Sequence, residues 1–150
     1  MATWVGTSGY NYPEWKGSFY PQKLPTTKML PYYAERFSTV EINYTFYRMP
    51  NEKILAGWNR ETPETFKLTL KAPKRITHDA RLRDCADKVR YFLDTAATLG
   101  PKLGRVCAVI LVSDLAAQFR LFQLAGSVVG LRVELFSDEP SARLWLGTQR

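Results

Sequence analysis

The chain has one histidine and two cysteines, and both scarcities narrow its chemistry. Cys85 and Cys107 stand alone, with no CxxC spacing and no second pair, so neither a zinc ribbon nor a disulfide framework is on offer. Buried free thiols are the ordinary reading of such isolated cysteines. With His78 as the sole imidazole, a metal would need Glu41 and further carboxylates, and no metal site is expected. No apolar run approaches the roughly 18 residues of a membrane-spanning helix. The start Met1-Ala2-Thr3-Trp4-Val5 lacks the basic segment and apolar stretch of a secretory signal, so a cytoplasmic location and no membrane partner are expected. Gly6-Thr7-Ser8-Gly9 lacks the third glycine of a dinucleotide fingerprint and is not a G-x-S-x-G nucleophile elbow. No cofactor is expected.

What is present fits one soluble domain over residues 1–150: 45% of residues are hydrophobic and 23% charged, enough for a substantial core. The formal net charge of +7 is uneven, and the densest stretch runs from Lys67 to Arg83. It holds Lys67, Lys71, Lys74, Arg75, Arg81 and Arg83 against Asp79 alone. Such a run is either a solvated basic face or a surface for an anionic ligand, whether phosphate, carboxylate or nucleic-acid backbone.

Periodicity divides the chain into alternating elements. Trp4-Val5-Gly6-Thr7 reads as a strand entering a long aromatic loop, where Tyr10, Tyr12, Trp15, Phe19 and Tyr20 predict an ordered cap. Met29, Leu30, Tyr33 and Phe37 follow helical spacing, and Thr39 to Asn43 reads as a second strand. Ile54, Leu55 and Trp58 mark a helix ending near Thr62-Pro63, because a proline ring disfavours helical geometry in the residue before it. Phe66 to Lys71 alternates with period two, and Asp84 to Leu99 predicts a helix stopped by Gly100-Pro101. Val106 to Val112 reads as a fully buried strand, Leu131 to Phe136 as another, and Ser141 to Leu146 as a short helix. Strands alternating with helices imply β/α units and a parallel sheet; without a dinucleotide fingerprint, a barrel is favoured over an open doubly wound sheet.

Alternation assigns faces. Val40, Ile42, Phe66, Leu68 and Leu70 would meet helices, leaving Glu41, Asn43, Thr69 and Lys71 on the barrel interior. Barrel interiors are normally apolar, so these groups must pair with each other, meet water or meet a ligand. Polar residues at the carboxyl ends of barrel strands usually serve a site; the competing reading is a structural ion pair. Glu41 suits a general base or a hydroxyl-orienting group, and Lys71 suits neutralisation of negative charge. A Schiff base at Lys71 would further require a pKa depressed by burial. His78 falls just beyond the third strand, where it is either an acid/base or anion-binding group or a loop histidine bonded to backbone. Ser8 has no evident base, though its backbone suits an anion cradle. Stacking of nucleic-acid bases on the aromatics is the weaker reading of those side chains, since tryptophans near prolines are more often core.

The strings Gly6-Thr7-Ser8-Gly9-Tyr10, Pro13-Glu14-Trp15-Lys16-Gly17, Phe19-Tyr20-Pro21, Phe37 to Asn43, Thr45-Phe46-Tyr47-Arg48, Lys71-Ala72-Pro73 and Ile76-Thr77-His78 occur in order. Together they resemble the YecE-like family of domains of unknown function, from about Thr3 to Gly104. The resemblance implies a TIM-type barrel in a cytoplasmic protein and sharpens the fold far more than the function. The expected fold class is therefore α/β, a partial TIM-type barrel of about four to five parallel strands alternating with helices. The candidate catalytic residues are Glu41, Lys71 and His78. The candidate ligand-binding residues are Thr7, Ser8, Tyr10, Asn43, Tyr47, Arg48 and Arg81.

The departure from the family pattern begins further on. Members usually continue into an apolar strand and a Gln-Leu-Pro-Pro stretch, whereas this chain reads Val112-Ser113-Asp114-Leu115-Ala116-Ala117-Gln118-Phe119. Shifted by one nucleotide, codons for that segment can encode Phe-Gln-Ile-Trp-Pro-Pro-Asn-Phe, so a frameshift or truncation beyond about Leu111 is expected; a divergent natural end is the rival. Sequencing the gene with its downstream DNA decides between them. A closed eight-stranded barrel typically needs about 200–250 residues or more, so an open partial barrel with exposed edges would invite self-association. The expected partner is a small anionic or hydroxylated molecule, with nucleic acid as the alternative.

Overall fold

Two short segments with period-two alternation set the architecture. In the computed structural model, which describes residues 4–104, they form β1 (Thr39–Ile42) and β2 (Lys67–Leu70). The two pair in parallel, with Thr39 opposite Lys67 and Ile42 opposite Leu70. Each has one fully covered face: Val40, Ile42, Leu68 and Leu70 are buried, while Glu41 and Thr69 between them are half-buried. The expected alternation is thus observed, and each leucine so buried contributes roughly 1.5–3 kcal/mol.

Extended backbone flanks this pair on both sides. The leading segment lies along β1, with Ser38 N donating to Val5 O at 3.1 Å, Glu41 N to Thr7 O at 3.0 Å and Gly9 N to Glu41 O at 2.8 Å. On the far side, Leu103 bridges Leu68 in parallel and Gly104 N donates to Leu68 O at 2.8 Å. Spatial order therefore follows chain order across four parallel segments, although two of them, β1 and β2, are the strands found among the described residues. Gly6 is demanded by this pairing: a Cβ there would lie 1.9 Å from the Thr39 carbonyl oxygen.

Helices cover the apolar face. α1 (Met29–Ala34) follows a 3₁₀ turn at Thr26–Lys28. It stops three residues short of Phe37 in the expected spacing, where Arg36 N turns to Tyr33 O at 3.0 Å in a tighter 3₁₀-type bond. α2 (Tyr44–Tyr47) is one turn directly after β1, and α3 (Glu52–Glu61) makes the crossover to β2. Asn51 caps α3, its Oδ1 accepting from Ile54 N at 3.0 Å, and Thr62 ends it in extended geometry ahead of Pro63. α4 (Ala86–Ala97) returns the chain toward Leu103, burying Val89, Phe92, Leu93 and Ala96. It starts two residues later than Asp84, because Asp84 sits at φ +43°, a left-handed conformation that cannot open a helix.

The aromatic loop is an ordered cap, as expected. Trp15, Phe19, Tyr20, Tyr32 and Tyr33 pack in successive edge and stacked contacts at 4.7–6.1 Å between centroids, and Tyr20 is 1% exposed. Cys85 is buried as a free thiol, and burial pushes its pKa up. No helix among the described residues is long and apolar enough to cross a membrane. The strands expected at 106–112 and 131–136, the helix at 141–146 and Cys107 lie outside the described residues.

Candidate functional site

The face of the sheet opposite the helices is polar, and its side chains touch. Lys71 Nζ lies 3.5 Å from Glu41 Oε1 and donates to Asn43 Oδ1 at 3.4 Å. Asn43 Nδ2 in turn donates to Ser8 Oγ at 3.2 Å. Three consecutive parallel segments so contribute to one line of polar groups, each just where its segment ends. The side chains of Lys71 and Glu41 are 40% and 31% exposed, so the pair is open to a ligand and is not sealed into a core. It is one of two ion pairs among the described residues; the other joins the sequence neighbours Glu35 and Arg36.

Backbone clamps hold that line in place. Thr45, fully buried, has its Oγ1 3.0 Å from the Ile42 carbonyl oxygen and 2.6 Å from that of Lys71. One hydroxyl thereby ties the ends of β1 and β2 together. Phe46, the next residue, packs under the same groups: Lys71 Nζ sits 5.3 Å from its ring centroid, within cation–π range.

His78 joins through that ring. After β2, Arg75–Asp79 forms a single π-helical turn closed by Ala80 N donating to Arg75 O at 3.2 Å, where sequence reading expects only a loop. Such turns recur at functional positions. The imidazole stands edge-on to Phe46, 5.1 Å between centroids and 88° between planes, with Nδ1 2.7 Å from Thr77 Oγ1. Beyond it the chain passes through three non-glycine residues at positive φ, Arg81, Leu82 and Asp84. Leu82 is 4% exposed and its N–H bonds to Ile76 O at 2.9 Å, which holds this strained segment against the turn.

The candidate residues separate accordingly. Ser8, Glu41, Asn43 and Lys71 form one connected group, and His78 and Tyr47 meet it through Phe46, the Tyr47 ring being 5.2 Å from that of Phe46. Tyr47 is otherwise 71% exposed. Thr7 turns to the helix side, where its Oγ1 lies 2.9 Å from the Tyr33 hydroxyl. Tyr10 also packs inward, 6.3 Å from Tyr33, and burial, with the Glu61 carboxylate adding to it, raises its phenol pKa. Arg48 and Arg81 are exposed and bond to none of the cluster. Lys67 bonds to the Pro101 carbonyl and faces the Trp4 ring, whereas Lys74, Arg75 and Arg83 project to solvent. Sequence reading missed Phe46 and Thr77 as partners of the site, although both lie in strings it singled out. Among the described residues, no three His, Cys, Asp or Glu side chains gather where a metal would sit.

Comparison with known proteins shows the family of the chain. Residues 4–119 match the model of the family described as protein of unknown function DUF72. The UPF0759 protein YecE of Escherichia coli K12 is 32% identical over 102 residues, covering 68% of this chain and 35% of that protein. The UPF0759 protein YunF of Bacillus subtilis is 32% identical over 78 residues, 52% of this chain and 27% of its own length. The matched region thus spans about a third of these relatives. Among solved structures, a DUF72 family protein from Thermotoga maritima superposes with a TM-score of 0.68 at 27% identity, covering 81% of this chain and 51% of that one. A DUF72 family protein from Enterococcus faecalis gives 0.56 at 18% identity, covering 81% and 47%, a likeness of fold alone. With three-quarters of its length matched by the family model and its fold superposing on a solved member, the chain belongs to the DUF72 family.

Proposed function

We propose that the polar face is the inner wall of a partial TIM-type β/α barrel in a cytoplasmic protein, and that it binds a small anionic or hydroxylated molecule. Four parallel segments in chain order with helices on one side support the barrel reading. The observation that carries the functional reading is the half-open Glu41–Lys71 pair, extended by Asn43 and Ser8 at the carboxyl ends of neighbouring segments. A pair this exposed contributes little to folding, about 0–1 kcal/mol, so stability alone gives it scant purpose. In the proposed site Lys71 receives the negative end of the ligand, Asn43 and Ser8 bond to its hydroxyls, and Glu41 and His78 exchange protons with it. Isomerisation, lyase action or hydrolysis suits such groups.

The test is ligand-induced thermal stabilisation across a panel of hydroxycarboxylic acids and sugar phosphates, repeated on Lys71→Met and Glu41→Gln. Stabilisation of the parent chain that both substitutions abolish is expected; stabilisation that survives both would sink the reading. The exposed Lys74, Arg75, Arg81 and Arg83 favour a second reading, a nucleic-acid or other polyanion surface. Binding that weakens steeply with salt and ignores Glu41→Gln would select it. Trp4 and Val5, 46% and 57% exposed along the first edge, make self-association through that edge part of the same proposal.

A further inference from the structure

We infer that Thr77 is a positioning residue that fixes His78 as its Nδ1–H tautomer and leaves Nε2 as the bare, basic nitrogen. The argument is a count of protons. Thr77 Oγ1 has two close polar neighbours: the Pro73 carbonyl oxygen at 3.2 Å and His78 Nδ1 at 2.7 Å. A carbonyl oxygen only accepts, so the contact with Pro73 is a hydrogen bond only if the single hydroxyl proton is spent there. Oγ1 then has lone pairs alone to offer Nδ1, and the ring must donate. The opposite assignment turns the hydroxyl proton to Nδ1 and leaves two oxygens facing each other, lone pair to lone pair, with Thr77 only 6% exposed and Pro73 buried. Pro73 O would keep its bonds from Ile76 N at 2.9 Å and Thr77 N at 3.1 Å, so the cost of that assignment is the repulsion of two partial negative charges 3.2 Å apart away from water.

The turn that leads into the π-helical segment makes the arrangement available, since Thr77 N also donates to Pro73 O at 3.1 Å in an α-type bond and carries the hydroxyl to the same carbonyl. Phe46 holds the other flank of the ring edge-on at 5.1 Å. Among the described residues nothing bonds to Nε2, on a ring otherwise exposed.

This inference gives His78 its role within the site proposed above and rests on that reading for the use of Nε2. When Nε2 takes a proton from a ligand O–H or C–H, its lone pair forms the new N–H bond. The electron pair of the broken bond stays on the ligand, and the ring becomes an imidazolium. Nδ1–H continues to donate to Thr77 throughout, so no partner has to reorient in either direction.

His78 is the chain's only histidine, so a ¹⁵N-labelled sample gives a single, unambiguous pair of imidazole nitrogen signals. At a pH where the ring is neutral, Nδ1 should show the protonated, pyrrole-type shift and Nε2 the bare, pyridine-type shift, the reverse of the preference of free histidine in water. Thr77→Ser should keep that pattern, and Thr77→Val should reverse it or average the two signals. An Nε2–H ring in the parent chain, or an unchanged pattern in a folded Thr77→Val, overturns the inference. If Thr77→Val does not fold, the parent and Thr77→Ser spectra decide it. The measurement needs no ligand, so an Nδ1–H ring in a chain that binds no member of the panel sustains this inference while removing the proposed function.

Discussion

Glu41 and Lys71 meet at 3.5 Å across adjacent parallel strands, yet about a third of each side chain faces solvent. Water then screens most of their attraction. In a double-mutant cycle of Glu41→Gln and Lys71→Met, urea denaturation should show a coupling of about 1 kcal/mol or less. A coupling of several kcal/mol would mark the pair as a buried structural bridge and remove the motive for a site.

Lys102 behaves differently. It is 8% exposed, and its Nζ donates to the carbonyls of Asn59 at 2.5 Å and Thr62 at 2.7 Å, a cation set against the carboxyl end of α3. Replacing it with methionine keeps the stem and orphans both carbonyls. A loss of about 2–3 kcal/mol is expected, read as a lowered urea midpoint, and a neutral outcome would show that water reaches these carbonyls.

Tyr20 ties the aromatic cap to pH. Burial pushes its phenol up to about 12, with the neighbouring Tyr33 and Tyr10 adding to the rise, and its hydroxyl donates to the Tyr10 carbonyl at 2.5 Å. A folded pKa raised above the ordinary tyrosine value of 10.0 means that the folded state holds the proton more tightly than the unfolded one. The resulting stability is present in full below pH 10 and drains away as pH climbs towards 12. Tyrosinate absorbance should therefore rise late for this residue, and Tyr20→Phe should flatten the alkaline fall in urea midpoint.

Gly6→Ala tests the leading segment. The added methyl would collide with the Thr39 carbonyl oxygen at 1.9 Å, so the segment must shift or detach from β1. A destabilisation of about 1–3 kcal/mol is expected, together with faster amide exchange at Glu41, whose N–H bonds to Thr7 O. Unchanged exchange there would mean that the pairing contributes nothing to the sheet.

Much of this was legible in the sequence where a period exists. Alternation at Thr39 to Asn43 and Phe66 to Lys71 identified both strands and their polar face, and Thr62-Pro63 located the end of α3. Outside such periods, residue type underdetermines direction. Thr7 and Tyr10 belong to the same family-like string as Ser8, yet their side chains answer to Tyr33 on α1 and not to the polar face. The late start of α4 follows from the positive φ of Asp84, which no pattern of apolar residues encodes. Lys102 finds its partners about 40 residues earlier in the chain, beyond the reach of any local window.

Among the described residues each parallel segment lies beside the one made just before it, so the growing edge of this part of the sheet is its newest piece. A chain leaving the ribosome can therefore lay these four segments down in order, each arriving one meeting a partner already in place.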